Sequence, residues 1–224
     1  MRRLRHGDRR RRRAALTDEP KQIVARGYDA IVERFEAWQR QITSDERMRF
    51  VGDLIERLPD GAGVLELGCG AAVDSTRLLA TRGHLTGVDI SAGQLRRARE
   101  RLPNGTFIQG DITRVEFTPE SFDAVVALFV LAHVPRDELP PLLQSVARWL
   151  RPGGHFLATM GVRGVGETVE DWLGVPMFFS SISSDESRRL VRDAGLELVH
   201  DEVVTQDEPG HGAISFLWVL ARRP

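Results

Sequence analysis

Three acidic residues and a pair of glycines carry the chemistry this sequence offers. Gly68 and Gly70 sit in "VLELGCGAAVDSTRLLA", residues 64–80, where an apolar run breaks into Gly-Cys-Gly and then turns helical. Such a pair permits a tight turn and lets the backbone approach a ligand closely. Asp89 ends the next apolar run, 19 residues after Gly70, where a carboxylate can accept both hydroxyls of a ribose. Asp111 closes the run after that, in "FIQGDI", and can take the exocyclic amine of a purine, while Glu66 adds negative charge beside the glycine turn. A dinucleotide does not fit. The pattern G-x-G-x-x-G needs glycine where Val73 stands. Asp74, in the first helical turn, suits the helix dipole but repels a pyrophosphate. The residues call for adenosine carrying a cationic or amino-bearing extension.

The elements that must position these residues follow from hydrophobic periodicity. Strand patterns cover residues 64–67, 85–89, 106–109, 122–128, 155–160, 196–204 and 213–221, and helical patterns at 73–81, 92–101 and 138–150 separate the early ones. That order reads as repeated βα units, hence a parallel sheet covered on both faces. "FDAVVALFVL" is apolar almost throughout, as a doubly covered strand should be. "SSDESRRLVRDAG" opens with a capping box, Ser183 to Glu186, and stops at Gly195. The last two strands are joined by "QDEPGHG" with no helix between, so they pair antiparallel at one edge. Upstream, "KQIVARGYDAIVERFEAWQRQ" places Ile23, Tyr28, Ile31, Phe35 and Trp38 near one face of a helix or broken helix, and a second helical stretch covers 44–58. The expected fold is α/β: a doubly wound, mostly parallel seven-stranded sheet with a C-terminal antiparallel edge pair and an N-terminal helical cap. Its divisions are a basic head over residues 1–16, the cap over 17–60 and the ligand-binding domain over 61–224.

Composition limits the class. The chain has 224 residues, 42% hydrophobic and 28% charged, enough for one sizeable core. No apolar run approaches the ~18 residues of a membrane span, and the Arg-rich head runs into Thr17-Asp18-Glu19 instead of a signal-peptide core. Cys69 is the only cysteine, which excludes an internal disulfide and a multi-cysteine zinc site and fits a reducing cytoplasm; no metal is expected. Eight arginines and one acid, Asp8, occupy the first 13 positions of a chain whose formal net charge is −1, so the remainder is acidic. The head reads as a disordered extension or a start site assigned too far upstream. The acidic body disfavours a long polyanion, so nucleic acid is not the expected partner.

At these residues the chain resembles a known family. "VLELGCG", "LTGVDIS", "FIQGDI", "FDAVVALFVLAHVP" and "WLRPGGHFL" are similar to the successive motifs of the Rossmann-like (class I) S-adenosylmethionine-dependent methyltransferases of small-molecule type, over residues 64–157. The resemblance implies S-adenosylmethionine as cofactor, with Glu66, Gly68 and Gly70 around its methionine part and Cys69 inside the same turn. It further implies Asp89 on the ribose diol, Ile90 packed on the adenine, and Asp111 with Ile112 at the adenine edge. Ala127 and Leu128 would offer backbone to the methionine amino group, and Tyr28 would cover the carboxylate end. Many relatives carry glycine where this chain has Ala72; a negative φ there, and a slightly wider turn, is the expectation.

Methyl transfer to a nucleophile is an in-line displacement, so the protein contributes alignment, exclusion of water and, for a protonated nucleophile, a base. His133, after the fourth strand, and His211, in "DEPGHG", are the base candidates, whereas His84, His155 and His200 read as structural. Cys69 lies in the wrong place for a cytosine-C5 mechanism. The candidate acceptor wall is "GVRGVGETVEDWLGVPMFFSS", a glycine-rich insertion carrying Trp172, Met177, Phe178 and Phe179; with Tyr28, Phe35 and Trp38 it would form an apolar lid. The leading expectation is methylation of oxygen or nitrogen on a small, partly apolar metabolite. Two alternatives stay open: a tRNA or protein methyltransferase docking through the Arg head, and a nucleoside-binding protein without turnover.

Overall fold

The computed structural model describes residues 19–42 and 46–224; the Arg-rich head, residues 1–16, lies outside the described residues. Helix α1 (Pro20–Gln39) is unbroken and starts with proline in its first turn, where the missing N–H costs nothing. Helix α2 (Arg47–Ile55) follows. Then come β1 (Ala62–Leu67), α3 (Asp74–Ala80), β2 (Gly83–Asp89), α4 (Ala92–Arg101), β3 (Thr106–Gln109), β4 (Phe122–Ala127), α5 (Leu139–Trp149) and β5 (Leu150–Met160). The chain finishes with β6 (Arg163–Trp172), β7 (Val175–Ser183), α6 (Ser184–Asp193), β8 (Glu197–Glu208) and β9 (Gly212–Arg222).

Seven strands form one sheet in the order β3-β2-β1-β4-β5-β9-β8, with β1 to β5 parallel and β9 antiparallel to both its neighbours. This is the Rossmann-like arrangement the βα rhythm predicts. Alternate residues of each central strand go to opposite faces. Leu65, Val125 and Phe156 meet α5 and Val191 of α6 on one side. Val64, Val126 and Leu157 meet Phe50, Val51 and Leu54 of α2 and Leu79 of α3 on the other. The capping box forms as expected, the Ser183 hydroxyl accepting from the Glu186 N–H at 3.2 Å. The strand order reverses between β1 and β4, which opens a crevice beyond their carboxyl ends.

Two expectations need correction. The glycine-rich insertion after β5, to which the strand patterns assign nothing, is a hairpin: β6 and β7 pair antiparallel as a separate two-stranded sheet, bringing the strands among the described residues to nine. Its turn, Leu173-Gly174, has φ of +49° and +80°, the two left-handed residues of a type I′ turn, with leucine standing where asparagine is usual. The hairpin packs on α1, Trp172, Met177 and Phe178 meeting Ile23, Val24, Ile31 and Trp38. The second correction is Ala72, whose φ is +52°, not negative. Its N–H donates to the Cys69 carbonyl at 3.2 Å, so the turn stays tight and alanine adopts the left-handed form.

Candidate active site

The crevice at the switch point contains a cavity built by the turn after β1, the ends of β2 and β3, the segment after β4 and the inner face of α1. Gly68 has φ +69°, and a Cβ there would stand 2.4 Å from Val130 Cγ2, so the turn after β4 presses where a side chain would be. The Asp89 carboxylate stitches the turn: Oδ2 accepts the Gly70 N–H at 2.8 Å and Oδ1 the Ser91 N–H at 2.9 Å. Burial raises its pKa to about 6 against those hydrogen bonds. Glu66 is buried; its Oε1 accepts from the Thr76 hydroxyl at 3.2 Å, and its Oε2 has no partner. Burial raises that carboxyl to about 8, the Thr76 hydroxyl opposing. Gln94 Nε2 is likewise buried and unpartnered on the wall of this cavity.

Ile90, Ile112, Leu128 and Cys69 line the same cavity. The Cys69 thiol packs so closely on Gly87 that a Cβ there would lie 2.7 Å from Sγ, and burial raises its pKa, so it is a packing residue and not a nucleophile. The Ala127 side chain is fully buried in the sheet core and does not line the cavity. Asp111 does line it but is engaged: Oδ2 pairs with Lys21 Nζ at 2.7 Å and Oδ1 accepts from the Thr113 N–H and hydroxyl at 2.9 Å. Lys21 also contacts Glu138 and the Thr113 hydroxyl, so the first turn of α1 is tied to the β3 end of the site. Burial alone would raise the Asp111 carboxyl, but the Lys21 and Thr113 hydrogen bonds outweigh it and hold it below its ordinary value.

A second cavity of about 360 Å³ adjoins the first. Its walls come from α1, the β6–β7 hairpin and the β8–β9 pair. Tyr28, Phe35, Gln39, Arg47, Phe129 and His133 line both cavities and mark the junction. There the His133 ring is buried and doubly bonded, Nδ1 to the Phe178 carbonyl at 2.8 Å and Nε2 to the Tyr28 hydroxyl at 2.9 Å. A carbonyl only accepts, so Nδ1 carries the proton and Nε2 accepts from Tyr28. Burial lowers the imidazole to about 4, the Phe178 carbonyl opposing, and raises the Tyr28 phenol. His211 lies in the β8–β9 turn, exposed, and lines the second cavity only.

Of the aromatic wall expected from sequence, Trp38, Trp172 and Phe179 line the second cavity. Met177 and Phe178 do not; both are buried beneath it against α1, where a Cβ on Gly27 would meet the Met177 methyl at 2.7 Å. Their contribution is to seat the hairpin on the helix, plus the Phe178 carbonyl that orients His133. Sequence reasoning missed Lys21, Gln94, Arg47 and Phe129. The first three are polar residues on helices with no periodic signal of their own, and Phe129 is hidden in an apolar run.

Residues 64–154 match the family described as "Methyltransferase domain". That stretch is a methyltransferase domain, of the Rossmann-like S-adenosylmethionine-dependent kind. The chain is 40% identical over 122 residues to a trans-aconitate 2-methyltransferase of Azoarcus sp. (strain BH72), covering 52% of this chain and 47% of that one. It is 33% identical over 148 residues to a demethylmenaquinone methyltransferase of Mycobacterium sp. (strain KMS), covering 65% and 62%. The chain thus spans about half the length of the first curated relatives it matches. In fold it resembles the Burkholderia thailandensis 1,6-didemethyltoxoflavin-N1-methyltransferase, crystallised with bound 1,6-didemethyltoxoflavin and S-adenosylhomocysteine, at TM-score 0.69 and 18% identity over 100% of this chain and 92% of that one.

The residues present fit this methyltransferase family's cofactor. An unpaired buried carboxylate oxygen on Glu66 and an unpaired buried amide nitrogen on Gln94 each carry a desolvation cost of about 1–3 kcal/mol until a ligand supplies a donor and an acceptor. S-adenosylmethionine carries both, together with a positive charge that suits Glu66 and Asp89. Among the described residues no group of His, Cys, Asp and Glu could hold a metal, and no helix is long and apolar enough to cross a membrane.

Proposed function

We propose that the protein transfers a methyl group from S-adenosylmethionine to an oxygen or nitrogen of a small, partly apolar molecule held in the second cavity. The observation that carries this reading is the junction: two cavities, one walled by the family's cofactor motifs and the other by aromatic rings, meet at Tyr28 and His133. Bound in the first cavity, the cofactor supplies an electrophilic methyl group on a sulfonium. Asp89 accepts the ribose hydroxyls with the lone pairs that Gly70 and Ser91 leave. Glu66 and the backbone after β4 hold the methionine end, and Ile90 and Ile112 pack on the adenine. Asp111 meets the adenine edge only while shared with Lys21.

The acceptor's proton leaves through Tyr28. The phenol oxygen takes that proton while passing its own to His133 Nε2, and Nδ1–H stays on the Phe178 carbonyl to orient the ring. The positive charge gained by the imidazole replaces the one the sulfonium loses, so the net charge of the site is unchanged across the step. The step needs a base that is neutral beforehand, and burial keeps the His133 imidazole so. His211 has no such partner at the junction, so His133 is the preferred base.

The test is mass spectrometry of the purified protein incubated with methyl-labelled S-adenosylmethionine and a metabolite extract. A labelled product that requires the protein and vanishes with Asp89→Ala supports the reading. Tight S-adenosylhomocysteine binding with no labelled product across a broad extract would favour a nucleoside-binding protein, and preference for a nicotinamide dinucleotide would overturn the assignment.

A further inference from the structure

The walls of the second cavity define a kind of acceptor. Trp38, Trp172, Phe35 and Phe179 line it with Tyr28 at the junction, and their rings lock one another: Phe35 stacks on Trp38 at 5.9 Å and 18°, and Trp172 meets Tyr28, Phe35, Trp38 and Phe179 at 5.5–6.0 Å. The Trp38 indole N–H is spent on the Pro209 carbonyl at 2.9 Å, so this ring offers a ligand its π surface and not a donor. Walls of this kind accept flat rings by stacking and attract cations through their quadrupoles.

The charges on the lining point the same way. Three carboxylates, Glu170, Asp171 and Glu208, stand there against one guanidinium, Arg47, whose field also reaches Glu66 in the cofactor cavity. Of these three, Glu208 is the one whose charge is felt at the Tyr28 hydroxyl, after burial and the Asp89 charge of the cofactor cavity. Its Oε1 is held by the Gln206 amide at 2.9 Å, and Gln206 is itself buried, so the carboxylate is anchored from behind. Burial pulls the Glu208 carboxyl above its ordinary value against the Gln206 amide and His211, which also lines this cavity, and a bound cation removes the remaining penalty. An acceptor with several carboxylates would meet like charges on a partly desolvated wall, with a single guanidinium to answer them.

We infer that the acceptor is a flat aromatic molecule carrying a protonated nitrogen, its ring among Trp38, Trp172, Phe35 and Phe179 and its cationic nitrogen on Glu208. The inference rests on the methyl-transfer reading, because it places the acceptor's nucleophile at Tyr28 and His133. It separates this chain from relatives whose names specify trans-aconitate.

The test uses matched probes on the full chain. S-adenosylhomocysteine is titrated first by calorimetry, and its failure to bind would overturn the cofactor reading and the inference with it. The loaded protein is then titrated with tryptamine, indole-3-propionate and trans-aconitate, the first two sharing a ring and differing in charge. Tryptamine at least tenfold tighter than indole-3-propionate, with trans-aconitate not detected, is the expected result. Glu208→Gln should reduce that ratio below threefold, whereas Glu197→Gln, exposed on β8 and lining neither cavity, should keep it. If Glu208→Gln fails to fold, the ratio on the unmodified protein decides. Equal or tighter binding of either carboxylate probe, or no binding of tryptamine to the loaded protein, overturns the inference and leaves the cofactor reading standing.

Discussion

Cofactor affinity should fall as pH drops through 6, and Asp89 should be the cause. Its carboxylate spends one lone pair per oxygen on the Gly70 and Ser91 N–H groups, and burial has raised its pKa to about 6. Two ribose hydroxyls donating to the remaining lone pairs favour the ionised form, so the pKa in the complex is lower than in the free protein. Proton and ligand therefore compete. Above pH 6 Asp89 of the free protein is already ionised and its contribution to affinity is flat; below it each pH unit costs up to about a factor of ten, until the pKa of the complex is reached. Charge-assisted hydrogen bonds of about 1.5–3 kcal/mol each imply at least a tenfold loss at pH 7.5 when both are removed in Asp89→Ala.

Calorimetric titration of S-adenosylhomocysteine from pH 5 to 8, repeated in two buffers of different ionisation enthalpy, reads both affinity and proton release. Binding at pH 5.5 should release a proton, and binding at pH 7.5 should release none through this residue. Asp89→Asn should be weaker at pH 7.5 and lose the acid limb. An affinity independent of pH, or an acid limb that persists in Asp89→Asn, would refute the assignment of the ribose to this carboxylate.

Three further outcomes follow from the same geometry. The folded protein holds the Glu66 proton up to about pH 8, whereas an ordinary glutamate lets it go near 4.5; stability of the free protein should therefore decline between those values. A melting temperature flatter over that window in Glu66→Gln than in the parent, read by calorimetry, checks it. Gly68→Ala should lose S-adenosylhomocysteine binding and melt several degrees lower, because the left-handed conformation costs about 1–2 kcal/mol and the new Cβ collides with Val130. Tyr28→Phe should reduce turnover by about 10²-fold or more, with S-adenosylhomocysteine affinity changed less than threefold; single-turnover kinetics separates the two, and full turnover would remove Tyr28 from the proton path.

The sheet and its cofactor side were legible because each signal there is local. Asp89 ends β2, Asp111 stands two residues beyond β3, and Gly68 and Gly70 punctuate the apolar run of β1. The acceptor side was harder for two physical reasons. The β6–β7 hairpin has Gly164 and Gly166 within its first strand, where the pairing register shifts, and a Leu-Gly turn in place of Asn-Gly, so both usual markers of a hairpin are absent. Lys21, by contrast, was invisible because its partners Asp111 and Glu138 are 90 and 117 residues away in sequence, and ion pairs across such spans leave no periodic trace. The Tyr28–His133 hydrogen bond, across 105 residues, is of the same kind.

The negative-φ expectation at Ala72 failed in a way that bears on the site. The turns after β1 and β4 are the two that flank the switch point, and each contains a non-glycine residue in the left-handed region, Ala72 at +52° and Phe129 at +60°. Each is held by a hydrogen bond from its own N–H, Ala72 to the Cys69 carbonyl and Phe129 to the Thr159 hydroxyl at 2.5 Å. Such conformations cost about 1–3 kcal/mol and persist where surrounding structure enforces them. At Phe129 the enforcement comes from Thr159 beneath and from Phe216 and Trp218, which meet the ring edge-on at 4.9 and 5.7 Å. The return on that strain is position: the left-handed backbone brings the Phe129 ring to the wall shared by both cavities. Closing the junction between two bound molecules against water requires apolar surface at that point, and a regular continuation of β4 would have carried the ring past it.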